Sequence, residues 1–471
     1  MVLRRTAVVD ALGRAWANLW RWTLFAIATL LAVYFLLDRG LADGATTAIA
    51  LAVIVIGVVL TPRHPMILPL LAISGAFVTA RVSIGVGDLT VSDLAIALGF
   101  VIVVLLSRRD FSPTMRAMLW LNAIYQFATL FTVIVNPYPQ NTVEWFHAWM
   151  LISGALLLGW GIGRAGLMRT GLILIVATGL VVALGTIATG AIVFVTEGVR
   201  PIYPRWPWPM HKNFAGAALA FAILVVFIKP PHARLPRKLT VPSLWIMLAA
   251  LALTQSRQAV IGLIVGMLLY VLRSGAGRHK VLVVLLAVPG AALIIDSVIG
   301  QIESQNRFNS TYQRLEWMRE VYALWKHEPI FGHGLRYWYV HPTANFQPPQ
   351  AELEVVASAG LVGLAGFGVM WLGILIVLWK FWTAHPSFGA LAFAVVISRL
   401  VTAQFDLFWV AAQVSIPFLI AGICLGGHVW WREQNPNTWE QPLGGRRAQS
   451  SKIETQGKMG VAWNSATMRT R

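Results

Sequence analysis

Residues 170–195, TGLILIVATGLVVALGTIATGAIVFV, form an apolar run without a charged residue. The run exceeds the roughly 20 apolar residues that cross the hydrocarbon core of a bilayer as a helix. Similar runs recur from Trp20 almost to Trp431. The chain of 471 residues is 57% hydrophobic and only 12% charged, which is too apolar for a soluble protein of this size. The sequence therefore predicts an all-α, polytopic membrane helix bundle.

The apolar runs predict about fourteen transmembrane helices. Their expected positions are residues 20–38, 44–61, 65–81, 91–107, 115–135, 146–163, 170–195, 213–228, 241–255, 257–273, 281–299, 353–379, 387–405 and 409–430. Five regions follow: a cytoplasmic amino-terminal segment at 1–19, transmembrane helices one to eleven within 20–299, a long external loop at 300–352, the last three helices within 353–430, and a disordered basic cytoplasmic tail at 431–471.

The net charge of +18 is explained by membrane topology rather than by nucleic-acid binding. With the amino terminus in the cytoplasm, most Lys and Arg residues fall in short cytoplasmic loops and in the tail, as the positive-inside rule requires. We therefore predict a multi-pass protein in contact with membrane lipids, with both termini in the cytoplasm and no nucleic-acid partner. The sequence shows neither a metal-ligand spacing nor a glycine-rich nucleotide loop, so we predict no cofactor.

Arg257, within TQSRQAV at residues 254–260, lies in a predicted external hairpin, where the positive-inside bias does not place a cation. An arginine at membrane level is costly unless it is paired or faces water, so it suggests a functional site. The guanidinium fork matches phosphate oxygens, which favours a binding site for a lipid-linked pyrophosphate. Snorkelling and structural ion pairs are the alternatives. The other basic residues of the external side are Arg205, His211, Lys212, Arg314, Arg319 and Arg336, with Arg399 inside a helix.

The long external loop contains STYQRLEWMREVYALWKHEPIFGHG at residues 310–334. Its apolar residues recur every three to four positions, which predicts an amphipathic helix along the membrane surface with Arg314 and Arg319 at its edge. Pro329 ends this helix, and the following glycine turn brings His333 and Arg336 back toward the bundle. An ordinary interfacial helix with basic rim residues is the simpler interpretation of the same pattern.

Several motifs resemble those of the bacterial O-antigen ligase and Wzy-type polymerase family. LTVSDLAIAL at 89–98 is similar to an early Ser-Asp-Leu helix start, and HKNFAGAALAF at 211–221 to a His-x-Asn motif that opens a central helix. LTQSRQAVIGL at 253–263 is similar to a Ser-Arg-Gly-Ala segment, with Gln258 in place of the glycine. RLEWMREVYALWKHEPIFGHGLRYW at 314–338 and LEVVASAGLVGL at 353–364 resemble the family signature of Arg, Trp, Pro, Gly-x-Gly and a closing Gly-x-x-Gly helix.

This resemblance implies a metal-independent, inverting membrane glycosyltransferase with a GT-C-like fold. It would move a glycan from a polyprenyl diphosphate carrier to a hydroxyl of a glycolipid or glycan acceptor, on the outer face of the bacterial cytoplasmic membrane. By the same resemblance, Arg257 and Arg314 would hold the diphosphate with help from Lys212. The features fit a ligase, whose acceptor is a different glycolipid, as well as a polymerase, whose acceptor is another copy of the carrier-linked unit.

One position departs from the family pattern. A His-Asn pair is expected about eleven residues before the glycine at Gly360, and this slot holds Pro349 and Gln350. A base must lie within hydrogen-bond reach of the acceptor hydroxyl, and His341, Glu352 or Glu354 could supply it. Each of the three could equally be an ordinary loop or helix-start residue. We predict catalytic roles for Arg257, Arg314, His341 and Glu352, and substrate binding by His211, Lys212, Asn213, Arg319, His333, Arg336 and Arg399.

Two other functions fit parts of the sequence. A transporter or flippase of an anionic lipid-linked sugar should have polar groups near the midplane of several helices, whereas the cations here gather at one face. A non-catalytic scaffold of an envelope glycan assembly complex would explain the missing histidine. Release of the carrier diphosphate from a defined donor would distinguish the transferase from both.

Overall fold

The computed structural model describes residues 23, 64–84, 87–106, 110–198, 200–274, 283, 288, 310–341 and 347–438. The helices predicted at 20–38 and 44–61, nearly all of the helix predicted at 281–299, and the tail beyond residue 438 lie outside the described residues. The described elements are numbered here in chain order.

The described part of the chain is mostly helical, as predicted. The helices are α1 (Ile67–Gly75), α2 (Val91–Leu106), α3 (Pro113–Val135), α4 (Pro139–Trp149), α5 (Ala155–Arg164), α6 (Met168–Glu197), α7 (Lys212–Ile228), α8 (Arg237–Thr254), α9 (Arg257–Ser274), α10 (Ser310–His327), α11 (Tyr337–Val340), α12 (Ala351–Ala384), α13 (Pro386–Ala403) and α14 (Ser415–Gln434). A π-helical turn, Met150–Gly154, joins α4 to α5, and strands β1 (Arg81–Ile84) and β2 (Gly87–Thr90) form an antiparallel hairpin before α2.

Six of the described helical segments are long and apolar enough to cross a membrane: Pro113–Val135, Pro139–Arg164, Met168–Glu197, Arg237–Thr254, Arg257–Ser274 and Ala351–Ala384. The shorter helices α2, α7 and α13 are apolar as well. The chain is therefore a membrane protein, and the total of about fourteen spans stays a prediction. The helix expected in the long loop is present as α10.

Three predicted boundaries were wrong. The helix expected at 65–81 ends at Gly75, because the chain turns into the β-hairpin. The helix expected from residue 146 begins at Pro139, whose fixed φ suits the first helical position. The helix expected from residue 409 begins at Ser415, because the segment 404–414 is held as a loop by buried charged side chains described below.

Helix α7 lies at the centre of the bundle, since every residue from Phe214 to Ile228 is buried. Beside it, α5 and α14 pack backbone against backbone. A Cβ atom at Gly159 would overlap the carbonyl oxygen of Leu419, and one at Gly426 would overlap the carbonyl oxygen of Trp160. Such close approach of helices through small residues is typical of membrane proteins, where dispersion contacts replace the hydrophobic effect as the force between helices.

Helix α12 is interrupted at Gly360, whose φ of 63° and ψ of −163° are not helical. The segment 329–334 of the long loop fills the interruption. The N–H of Leu361 donates to the carbonyl of Pro329 at 2.9 Å, and the N–H of Gly334 donates to the carbonyl of Ser358 at 2.9 Å. The main-chain groups freed by the break are thus paired with the loop. Hydropathy predicted one continuous helix here because the apolar run is uninterrupted.

Replacing Gly360 with alanine should destabilise the protein. The backbone conformation at Gly360 is restricted to glycine and would cost another residue about 1–3 kcal/mol, and the added Cβ would also overlap the carbonyl oxygen of Ile330. Thermal unfolding of purified protein measures the effect. The control is Gly368→Ala in the same helix, where a Cβ meets no atom within 4 Å and the change should be neutral or stabilising. Equal unfolding temperatures for the two variants would contradict this account.

Candidate functional site

Several polar residues joined by hydrogen bonds lie at one end of the bundle, here called the site end. It contains the turn between α3 and α4, the first residues of α7, α9 and α12, the segment 328–350 where described, and the loop 404–414. Contacts across it include a hydrogen bond from Asn136 Nδ2 to the carbonyl of Gly332 at 3.1 Å and one from the N–H of Leu335 to Asn141 Oδ1 at 2.8 Å. The segment after α10 is therefore fixed against α3 and α4.

Two cations lie side by side at the site end. Arg257 is the first residue of α9 and is exposed, and Lys212 is the first residue of α7 and is half-buried. Partial burial lowers the pKa of Lys212, and the nearby Arg257 guanidinium adds to this effect. The two helix starts are joined by a hydrogen bond from Ser256 Oγ to Asn213 Oδ1 at 3.4 Å. Since helix amino termini carry positive partial charge, two termini and two cations together favour an anion.

His211 precedes Lys212 and caps α7, because its Nδ1 accepts the N–H of Asn213 at 3.3 Å. Its ring meets the edge of Tyr203 at a centroid distance of 5.3 Å. Partial loss of hydration lowers the pKa of His211, and the Lys212 ammonium adds to this effect, whereas the Asp406 carboxylate opposes it. His211 therefore favours the neutral form, which is the form that can accept the capping hydrogen bond.

Asp406, in the loop 404–414, is bound by the residue that follows Arg257. Its Oδ2 accepts hydrogen bonds from Gln258 Nε2 at 2.6 Å and from Gln413 Nε2 at 3.2 Å. Gln258, which stands where the family motif has glycine, thus ties the start of α9 to the loop. This contact gives a structural reason for the departure from the motif.

Arg399 is completely buried and binds the same loop. Its Nη2 donates to the carbonyls of Leu407 at 2.9 Å and Phe408 at 2.6 Å, and its Nη1 donates to Gln413 Oε1 at 3.0 Å. Gln413 therefore bridges Arg399 and Asp406. These hydrogen bonds of the Arg399 guanidinium fix the loop 404–414. Contact of Arg399 with the substrate stays a prediction.

A pocket opens beside this loop and is lined by Glu144, Leu335, Arg336, Tyr339, Gln347, Glu354, Leu407, Trp409 and Val410. Glu354 Oε2 accepts the N–H of Phe408 at 3.1 Å, and its Oε1 accepts from Gln347 Nε2 at 2.8 Å. Gln347 Oε1 accepts in turn from the Tyr339 hydroxyl at 2.8 Å. Burial raises the pKa of Tyr339, although the Arg336 guanidinium opposes it, so the phenol remains a hydrogen-bond donor.

A chain of charged residues runs from this pocket into the bundle. Arg336 Nε lies 2.8 Å from Glu144 Oε2, and Glu144 Oε1 lies 3.2 Å from His147 Nδ1. His147 Nε2 lies 2.9 Å from Oδ1 of Asp93, whose Oδ2 accepts the N–H of Thr90 at 2.8 Å. Asp93 belongs to the Ser-Asp-Leu motif at the start of α2. The motif therefore contributes the carboxylate at the end of this row of charged residues.

The roles of Glu144, His147 and Asp93 in this chain were not predicted. Glu144 and His147 are separated by three positions, so both lie on one face of α4, and this spacing in apolar surroundings was the available signal. Their partners Asp93 and Arg336 come from distant parts of the sequence, and only the fold brings them together.

The remaining predicted residues occupy varied positions. Arg314 lies in α10, and its side chain is outside the described residues. Arg319 is exposed on the same helix, and His333 Nε2 lies 2.9 Å from the carbonyl oxygen of Leu324.

The two predicted bases lie elsewhere. His341 is exposed and stacks on Tyr337 at a centroid distance of 4.9 Å, while Glu352 Oε1 accepts a hydrogen bond from Gln404 Nε2 at 2.7 Å. Among the described predicted residues, only Arg336 lines the pocket, together with Glu354, which was an alternative candidate for the base.

Comparison with protein families gives an independent line of evidence. The O-antigen ligase family model matches residues 242–368, from within α8 into α12. This segment is similar to the O-antigen ligase family. The resemblance seen in the sequence motifs is confirmed over it. A search of curated proteins found no significant match to the chain.

The segment that matches the O-antigen ligase family contains part of the site. Arg257, Arg336 and Glu354 lie within it, whereas Lys212 and Glu144 lie outside. The candidate site is therefore assembled from this segment and from helices on both sides of it in the sequence.

Replacing His147 with alanine should destabilise the fold by about 3–5 kcal/mol, because it leaves the buried carboxylates of Asp93 and Glu144 without their shared partner. Thermal unfolding in detergent measures the change. The control is Glu433→Gln, which removes the ion pair with Arg164 at the opposite end, where Glu433 is 49% exposed and about 1 kcal/mol or less is expected. A loss for His147→Ala no larger than for the control would show that the chain of charges contributes little.

Proposed function

We propose that this protein transfers a glycan from a polyprenyl diphosphate carrier to an acceptor hydroxyl on the outer face of the bacterial cytoplasmic membrane. The observation that carries the proposal is the adjacency of Lys212 and Arg257 at two helix amino termini, at the same end of the bundle as a pocket with buried carboxylates. The match of residues 242–368 to the O-antigen ligase family supports the same class of reaction.

The cation pair suits a diphosphate leaving group. Two like charges close together repel each other. An anion that binds between them is attracted by both cations and also relieves their repulsion. When the bond between the sugar carbon and the phosphate oxygen breaks, its electron pair stays on the diphosphate, and fixed cations stabilise this charge without reorganising. Arg314 is proposed to complete the group. In this scheme side-chain cations balance the diphosphate, and no metal ion is invoked.

The distribution of basic residues supports the proposed orientation. The end of the bundle opposite the site carries Arg164, Arg169, Lys229, Arg234, Arg237, Lys238, Arg273, Lys380 and Arg432. By the positive-inside rule this end would face the cytoplasm, which leaves the site end on the outer side of the membrane. A carrier lipid in the outer leaflet could then approach the cation pair from the side.

Replacing Arg257 or Lys212 with alanine should lower the turnover number, by about 100-fold to 1,000-fold for Arg257, because the leaving group loses a preorganised cation. The assay follows carrier diphosphate released from a defined polyprenyl-diphosphate glycan by purified protein in detergent. Arg169→Ala, at the exposed start of α6 on the opposite end, is the matched control and should retain full activity.

Full activity of both Arg257→Ala and Arg314→Ala would overturn the site assignment. A wild-type protein that moves the donor across vesicle membranes without releasing carrier diphosphate would be a transporter, and one that binds the donor and does neither would be a scaffold.

A further inference from the structure

The pocket beside the loop 404–414 differs chemically from the cation pair. Glu144 and Glu354 offer carboxylate oxygens, while Arg336, Tyr339 and Gln347 offer hydrogen-bond donors. Two carboxylates disfavour a phosphate by charge repulsion, whereas carboxylates alternating with donors suit the hydroxyls of a neutral sugar, each of which both donates and accepts. Trp409 adds an aromatic surface to the lining.

The two regions are neighbours. Asp406 of the loop is bound by Gln258, the residue after Arg257, and the N–H of Phe408 is bound by Glu354 in the pocket. Only two positions of the loop separate these contacts. A diphosphate at Lys212 and Arg257 and a sugar hydroxyl at Glu354 would therefore both lie beside the loop 404–414, which Arg399 holds in place.

Building on the proposed function, we propose that this pocket binds the acceptor sugar and that Glu354 is the general base, in place of the histidine of the family pattern. Glu354 is 3% exposed and yet lines the pocket. Both of its oxygens accept hydrogen bonds from uncharged donors, which holds the carboxyl group in one orientation. His341 and Glu352 do not line the pocket, since His341 stacks on Tyr337 and Glu352 is bound by Gln404.

Glu144 is the second carboxylate of the pocket. It is 5% exposed, and its Oε2 lies 2.8 Å from Arg336 Nε. A carboxylate oxygen with one ionic partner still has a lone pair that can accept the hydroxyl of a sugar. The space enclosed by the pocket is about 20 Å³, which suits a single hydroxyl of an acceptor sugar whose ring lies at the mouth of the pocket.

The reaction balances with these groups. The Glu354 carboxylate takes the proton of the acceptor hydroxyl as the oxygen forms a bond to the anomeric carbon of the donor. The bond from that carbon to the phosphate oxygen breaks on the opposite side, and its electron pair leaves with the polyprenyl diphosphate. The products are the glycoside with inverted configuration, the carrier diphosphate and a protonated Glu354, which returns its proton to water.

The test uses the full chain with a polyprenyl-diphosphate glycan and a sugar acceptor. Glu354→Gln removes the base and keeps the shape, so kcat should fall about 100-fold to 10,000-fold with little change in the KM of the donor. Azide as the acceptor has no proton to lose at neutral pH. It should restore carrier release by this variant and give a glycosyl azide. Glu433→Gln, a carboxylate change at the opposite end, is the control and should match the wild type in both reactions.

The inference is overturned if Glu354→Gln keeps its kcat, or if a folded Glu354→Gln is not rescued by azide. It is also overturned if His341→Ala or Glu352→Gln lowers kcat with the sugar acceptor and azide restores carrier release by that variant. Should Glu354→Gln not fold, Glu354→Asp takes its place: a lower kcat at unchanged donor KM supports the base, and an unchanged kcat overturns it. A wild type that releases no carrier diphosphate contradicts the proposed function itself, and so is distinguished from failure of the Glu354 assignment alone.

Discussion

The site depends on the insertion of the segment 329–334 into the broken helix α12. Gly360 interrupts the helix, and the main chain of the segment pairs with the groups that the break leaves open. Unpaired main-chain groups are costly in a membrane bundle, so the break and the insertion require each other. The insertion fixes where the long loop leaves the bundle. It thereby brings Arg336 to Glu144, and without it the pocket would lack one wall.

Two of the buried charged residues that the structure describes, Arg399 and Glu354, act on main-chain groups of one loop. Arg399 binds carbonyls of Leu407 and Phe408, and Glu354 binds the N–H of Phe408. Opposite charges thus hold the loop 404–414 from two sides through its donors and acceptors. An arginine and a glutamate in a membrane protein are often interpreted as an ion pair, and here they share a loop instead. This sharing leaves the Glu354 carboxylate facing the pocket.

Part of this structure could be predicted from the sequence, because hydropathy reports burial in lipid directly. The helix at 170–195 and the start of α9 at Arg257 followed from apolar runs, and Arg257 stood out as a cation on the side where cations are few. The break at Gly360 could not be predicted, because the apolar run continues through it. The row of charged residues from Asp93 to Arg336 could not be predicted either, since its members are distant in sequence and only helix packing brings them together.

The site also crosses the boundary of the segment 242–368, which matches the O-antigen ligase family. This segment supplies Arg257 and Glu354, while α4 supplies Glu144 and α7 supplies Lys212. Under the function proposed above, divergence can therefore act separately on acceptor recognition and on carrier binding. Sequence drift in α4 would then reshape the acceptor pocket while the residues around the carrier stay intact, so homologues sharing the central segment need not share an acceptor.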